Sequence, residues 1–310
     1  MTDGFAPLES DAKAALAKLV QRLRETHRDA ISGVLLYGSC LRSGDVFDGL
    51  VDLYLVCDGY RAAYARRGLA LSNWLLPPNV FYIEFEHAGR KLRSKYAVIS
   101  MADFRHGCST RTFESYIWGR FAQPASILYA RDPSTRVAIE QCLLTASSTL
   151  LERTAPCLQA TGTVHALWRD ALALSYGSEL RAERSGRAAE LVNAFLGHYE
   201  NTTRQLQAEL SFSLELYEQQ GELHYQTDIA RSRRAIGKLA WRLRRGQGKL
   251  FSVLRLLKGL FTFDGGIDYV AWKLTRHTGQ QIVVPERVRR FPLLFMWGFF
   301  WRLYRQGVFR

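Results

Sequence analysis

The residues best placed to do chemistry lie in one stretch, Leu35 to Val56, which reads LLYGSCLRSGDVFDGLVDLYLV. An apolar run ends in Gly38-Ser39, and 13 positions after the serine (52 − 39) Asp52 interrupts a second apolar run, Leu50 to Val56. Glycine lets a backbone approach an anion closely, and the serine adds a hydroxyl beside successive backbone N–H groups. A carboxylate on the adjoining strand could hold Mg2+ against the same phosphates. The plainer alternatives are an ordinary turn for Gly38-Ser39 and a hydrogen-bonded strand-end aspartate for Asp52. An isolated carboxylate in an apolar strand is nonetheless costly to bury without a compensating partner, and a metal ion would be one. The seven histidines and five cysteines show no metal, zinc or triad spacing, and Cys40 beside Ser39 is a small filler with no activating histidine nearby.

The elements that must position these groups follow from periodicity. Leu16, Leu19, Val20 and Leu23 mark a helix over residues 11–24. Val34–Tyr37 and Leu50–Val56 are short buried strands, and Val80–Glu86 alternates as a third, set off by Pro77-Pro78. From Ala102 onward the pattern is helical, with helices expected over 111–121, 136–151, 166–180 and 188–199. The expected class is α+β: a mixed sheet with helices over residues 1–125, a helical part over 126–225 that completes the site, and a basic amphipathic region over 226–310.

Composition fits a folded chain of 310 residues, with 47% hydrophobic and 23% charged residues. The net charge of +13 is concentrated at one end: residues 231–310 carry 18 Lys and Arg against three acids, a net of +15, leaving −2 for the first 230. An odd number of unpaired cysteines and the lack of a basic-then-apolar leader point to a reducing, cytoplasmic setting. The longest strongly apolar run, Phe291–Trp301, would rise only about 16 Å as a helix, too little to span a bilayer.

The bend followed by an acid on the next strand resembles the nucleotidyltransferase fold shared with polymerase β. That fold commonly shows Asp-x-Asp, whereas this chain has Asp52-Leu53-Tyr54. A second carboxylate would then come from Glu84 or Glu86, which strand alternation places on one face, or from Asp45 or Asp48 in the loop. Four blocks resemble the mitochondrial-type phosphatidate cytidylyltransferases, the translocator assembly and maintenance family, in a bacterial-style version. They are Tyr37-Gly38-Ser39 with a single Asp52; Lys95-Tyr96-Ala97-Val98-Ile99-Ser100; Tyr116-Ile117-Trp118-Gly119-Arg120 with Gln123-Pro124; and Leu174-Ser175-Tyr176-Gly177-Ser178-Glu179-Leu180-Arg181. Ala97 replaces the family's glycine, the loop from Ser39 to Asp52 is shorter, and the region after Pro77 aligns loosely.

The resemblance implies transfer of CMP from CTP to phosphatidic acid, giving CDP-diacylglycerol and pyrophosphate, with Mg2+ on a single aspartate, Asp52; Glu84 and Glu86 stay metal candidates from strand alternation alone. It further implies that Tyr37, Gly38, Ser39, Tyr176 and Arg181 bind the nucleotide, and that Lys95 and Arg120 neutralise phosphates alongside Arg181. Tyr96 and Tyr176 could stack on cytosine or simply pack. A hydroxyl acceptor on a small molecule, RNA or protein, or a non-catalytic lipid-binding scaffold, are the competing readings.

Residues 231–258 place Ile236, Leu239, Leu243, Leu250, Leu254 and Leu257 on one helical stripe among Lys and Arg. A cationic amphipathic helix with aromatic residues points to an anionic membrane surface, on the inner face of the cell membrane. Nucleic acid is disfavoured, because no nucleic-acid motif accompanies the charge. The remaining alternative makes the leucines core and the charges a solvated face.

Overall fold

The computed structural model describes residues 8–179, 186–262, 275, 284–290, 295, 298–299, 301–302 and 305. Helix α1 (Ser10–Thr26) buries Ala12, Ala15, Leu16, Leu19, Val20 and Leu23, the face its periodicity requires. It leads into β1 (Ile31–Tyr37), a single-turn α2 (Cys40–Ser43) and β2 (Val51–Cys57). Short α3 (Tyr60–Ala63) and α4 (Arg67–Leu75) precede the hairpin β3 (Asn79–His87) and β4 (Arg90–Ser100). Next come α5 (Met101–Cys108), α6 (Trp118–Phe121) and β5 (Ala125–Ala130).

These five strands form one mixed sheet in the order β3-β4-β2-β1-β5, with β2 and β4 parallel and the other neighbours antiparallel. The coarse α+β class expected from the sequence is therefore present. Strand β5 straddles the expected boundary at residue 125 and pairs with β1 inside the first sheet.

The part beyond is not purely helical. Helix α7 (Pro133–Thr154) is started by Asp132, whose carboxylate accepts the Thr135 N–H at 2.7 Å, with Pro133 in the first turn. Short β6 (Thr161–Thr163), α8 (Val164–Tyr176), α9 (Arg187–Ala194) and α10 (Leu196–Leu206) follow. The hairpin β7 (Ser213–Gln219) and β8 (Glu222–Asp228) then joins β6 in a second sheet, ordered β6-β8-β7. Exposed Glu, Gln and Tyr alternate along β7, so its apolar signal is too thin to stand out in the sequence. The expected helix over 111–121 survives only as α6, because residues 112–115 form a loop that receives later side chains. One hydrophobic cluster runs from Ala12 to Trp241 and joins both sheets and their helices.

The chain then enters the 32-residue α11 (Arg231–Thr262). Its packed face carries Trp241, Arg244, Gly248 and Arg255, not the leucines. The Trp241 indole N–H donates to the Arg153 carbonyl at 2.7 Å. Arg244, 1% exposed, donates to the Phe113 carbonyl at 2.7 Å and lies against Phe113 and Trp241. At Gly248 the helix backbone crosses so close to the Ser178 carbonyl that a Cβ would collide with it. Ile236, Leu239, Leu243, Leu250, Leu254 and Leu257 are all exposed. The alternative in which this stripe is core is thus excluded by the structure. The apolar run Phe291–Trp301 lies largely outside the described residues, and no helix among those described is long and apolar enough to cross a membrane.

Candidate active site

Strand register assembles the site. Tyr37 on β1 pairs with Asp52 on β2, Asp52 with Lys95 on β4, and Lys95 with Tyr82 on β3, so the four side chains share one face of the sheet. Lys95 Nζ stands 3.5 Å from Asp52 Oδ1. The chain leaves β1 through Gly38 at φ +89°, a left-handed conformation that side chains resist. A Cβ there would lie 3.1 Å from Asp52 Oδ2. The carboxylate therefore faces the bend, with one oxygen toward an ammonium and the other over a bare glycine. Ser39 is exposed at the same bend. The arrangement is a half-buried carboxylate and a cation beside a backbone that an anion can approach.

Cys40 next to it is buried, with its thiol directed at the Leu50 carbonyl at 3.4 Å. Burial, reinforced by Asp52 and Asp45, pushes that thiol up to about 12, so it is no nucleophile.

The other candidate carboxylates are not brought to Asp52. Glu84 and Glu86 share its sheet face but sit on the edge strand, two strands away and two and four residues along from Tyr82. Strand spacing and rise put their Cα atoms about 12 and about 17 Å from that of Asp52. Glu84 instead accepts the Tyr82 hydroxyl at 2.9 Å and lies 3.6 Å from Arg93. In this arrangement Glu84 is engaged by Tyr82 and Arg93, and Glu86 lies farther still along the edge strand. Asp45 is turned into its own loop, accepting the Phe47 and Asp48 N–H groups, and these bonds hold its carboxyl below the usual carboxylate range. Among the described residues no three His, Cys, Asp or Glu side chains form a metal cluster.

Arg120 lies on the same face of the sheet as Asp52, 6% exposed. It donates to the Tyr54 hydroxyl at 2.9 Å and to Glu179 at 3.3 Å, and its guanidinium covers the Tyr116 ring at 4.3 Å. Because Tyr54 is two residues from Asp52 on β2, Arg120 braces the strand carrying the acid. Its guanidinium is held inside, which suits a positioning residue better than a phosphate clamp. The third and fourth sequence blocks meet here. Tyr176 donates to Gln123 at 3.1 Å, and the Ser115 and Ser178 hydroxyls are 2.5 Å apart. Tyr96 is buried and stacks on Phe81 at 5.3 Å, so of its two possible roles it packs. Arg181 lies outside the described residues.

Sequence reasoning missed the second layer. Arg255 of α11 covers the Tyr116 ring at 3.9 Å and makes a two-pronged ion pair with Glu114 at 2.5 and 2.9 Å. Tyr116 thus lies against two guanidiniums. Burial alone would raise its phenol, and the two positive charges outweigh it, so the hydroxyl titrates below its ordinary value. Nothing in the spacing of Glu114, Tyr116 and Arg255 signals this, since 141 residues separate the ion pair.

No protein-family model matches the chain, and no curated protein matches it. Among solved structures, it is similar to the crystal structure of a nucleotidyltransferase-like protein from Exiguobacterium sibiricum 255-15. The two are 8% identical at a TM-score of 0.27, over 70% of this chain and 99% of the other. The chemistry of this chain rests on its own residues.

Proposed function

We propose that the chain is a nucleotidyltransferase of the phosphatidate cytidylyltransferase type, moving CMP from CTP to phosphatidic acid. A phosphate oxygen of phosphatidic acid forms a bond to the α-phosphorus of CTP, the α–β bridging bond breaks, and pyrophosphate leaves with that electron pair. The acceptor is a phosphate monoester, whose second ionisation lies near pH 6, so it arrives anionic and needs no carboxylate base. The observation that carries the reading is the carboxylate over the glycine bend beside Lys95, with Glu84 and Glu86 two strands away and Asp45 bonded into its own loop. A hydroxyl acceptor would call for a second acid within reach of the first.

The difficulty in this reaction is bringing two polyanions together, and a cation set addresses it. Asp52 fits Mg2+ as its protein ligand. One oxygen is directed over a bare glycine, and Mg2+ ordinarily takes one or two carboxylates and completes its shell with phosphates and water. Mg2+, when bound, would supply charge neutralisation of the triphosphate. Lys95 holds Asp52 in place and offers a point charge at the same spot, the Gly38-Ser39 backbone admits the triphosphate closely, and Arg120 braces β2 through Tyr54. Arg181 and Tyr176 are assigned to the nucleotide by the sequence blocks alone. The lipid stays in its bilayer, so the enzyme works on the inner face of the cell membrane, docked through its basic C-terminal region.

The test is to incubate purified protein with radiolabelled CTP, Mg2+ and phosphatidic acid, then extract lipid. Label in the organic phase, lost in Asp52→Asn, is expected. Label appearing only on a hydroxyl-bearing acceptor would overturn the reading.

A further inference from the structure

Two helices of this protein are inverted, with polar groups turned inward and large apolar side chains turned out. In α4, Asn73 is fully buried, donating to the Tyr64 hydroxyl and the Val98 carbonyl, both at 2.9 Å, and accepting the Asn79 N–H. Leu71, Trp74 and Leu75, at i, i+3 and i+4, are 56%, 68% and 65% exposed. In α11 the packed face holds Trp241, Arg244, Gly248 and Arg255. At about 100° per residue the stripe of Ile236, Leu239, Leu243, Leu250, Leu254 and Leu257 lies about 140° round the helix from it. Between the two faces runs a row of exposed cations, Lys238, Arg242, Arg245 and Lys249. Scattered exposed leucines are ordinary, but two outward apolar faces built by burying Asn and Arg instead are not.

The helices meet. Lys258, near the end of α11, donates to the carbonyls of Leu76 and Pro78, just past α4, and Arg255 donates to the Pro77 carbonyl at 3.2 Å.

We infer that α4 and the leucine face of α11 together form one bilayer-contacting surface, with Leu71, Trp74 and Leu75 as a second insertion point on the catalytic part of the chain. The occupant is an anionic bilayer because a cation row, Lys238 to Lys249, flanks the first half of the apolar stripe. Leucines would enter the acyl boundary while Lys and Arg reach headgroups. The surface extends the membrane docking proposed above from the C-terminal region to the sheet domain. The same anchors tie it to the site: Arg255 presses on Tyr116, which shares Arg120 with Tyr54 on the strand of Asp52.

Vesicles of phosphatidylcholine with phosphatidylglycerol provide the probe, since phosphatidylglycerol is anionic yet is not the proposed substrate. Brominated acyl chains in these vesicles should quench the protein's tryptophan fluorescence, and Trp74→Phe should remove a distinct share of that quenching. Leu71→Glu with Leu75→Glu should weaken vesicle binding at least about tenfold with an unchanged melting temperature. Asp52→Asn should bind like the parent, so that failure of the catalytic reading and failure of this one are separable. Undiminished quenching in Trp74→Phe overturns the inference, and so does parental affinity in the Leu71/Leu75 variant. Sedimentation showing a dimer that shields Trp74 from quencher would also overturn it. Should the Leu71/Leu75 variant not fold, the Trp74→Phe comparison decides alone.

Discussion

Replacing Gly38 by alanine tests the site at its narrowest point, and Gly89→Ala separates the two effects involved. Both glycines have left-handed backbones, φ +89° and +75°, but a Cβ at Gly89 meets nothing within 4 Å whereas one at Gly38 meets Asp52 Oδ2 at 3.1 Å. Left-handed strain costs about 1–2 kcal/mol for a residue with a Cβ, so Gly89→Ala should lose about that much stability and nothing else. Gly38→Ala adds displacement of the Asp52 carboxylate by a few tenths of an ångström, bringing the loss to about 1–3 kcal/mol. At roughly 2 cal/mol/K per residue over the chain, that is a fall of about 2–5 °C in melting temperature. Function separates the pair further. An ångström of misplacement can cost on the order of a hundredfold in rate, so Gly38→Ala should lose about tenfold or more in CMP transfer and in Mg2+-dependent CTP binding, with Gly89→Ala unaffected. Calorimetric melting and titration with CTP and Mg2+ read both quantities. Equal CTP binding by both variants would refute the claim that the Asp52 oxygen over Gly38 belongs to the site.

Asp52→Asn should abolish transfer while melting within a few degrees of the parent, because Asp52 is half-buried and its partner Lys95 is itself partly exposed; a joint activity and melting assay checks this. Glu114→Gln leaves the nearly buried Arg255 guanidinium without its counter-charge and should cost about 3–5 kcal/mol in urea unfolding, with Glu114→Gln/Arg255→Met recovering part of it. Burial, aided by Arg255, lowers Lys258 to about 7 in the folded chain. The unfolded state therefore holds a proton that the folded state has lost between about pH 7 and about pH 10, and stability should rise with pH across that window. Lys258→Met should flatten the slope measured by denaturant titration at each pH. Cys40, with its thiol near 12, should resist iodoacetamide at pH 8 in the native protein and react once unfolded.

What the sequence determined by itself is local. The bend at Gly38-Ser39, the strands on either side and the lone Asp52 follow from residue types within about twenty positions, where alternation and glycine's backbone freedom fix which way a side chain can point. The amphipathic character of residues 231–258 was legible for the same reason. Periodicity shows that a helix has two faces, but not which face meets the protein, and there the tertiary structure decided: Trp241, Arg244 and Arg255 find carbonyls, rings and a carboxylate, leaving the leucines outside. It also decided the fates of Glu84 and Glu86, because strand order is set by pairings between distant segments and placed β3 at the edge. In the sequence Arg120 stands as a phosphate-neutralising cation, by resemblance alone. It becomes a buried brace only because Tyr54, Tyr116 and Glu179, scattered over 126 positions (179 − 54 + 1), converge on it. A buried charge is stable only where such partners gather, and one-dimensional spacing carries no record of that.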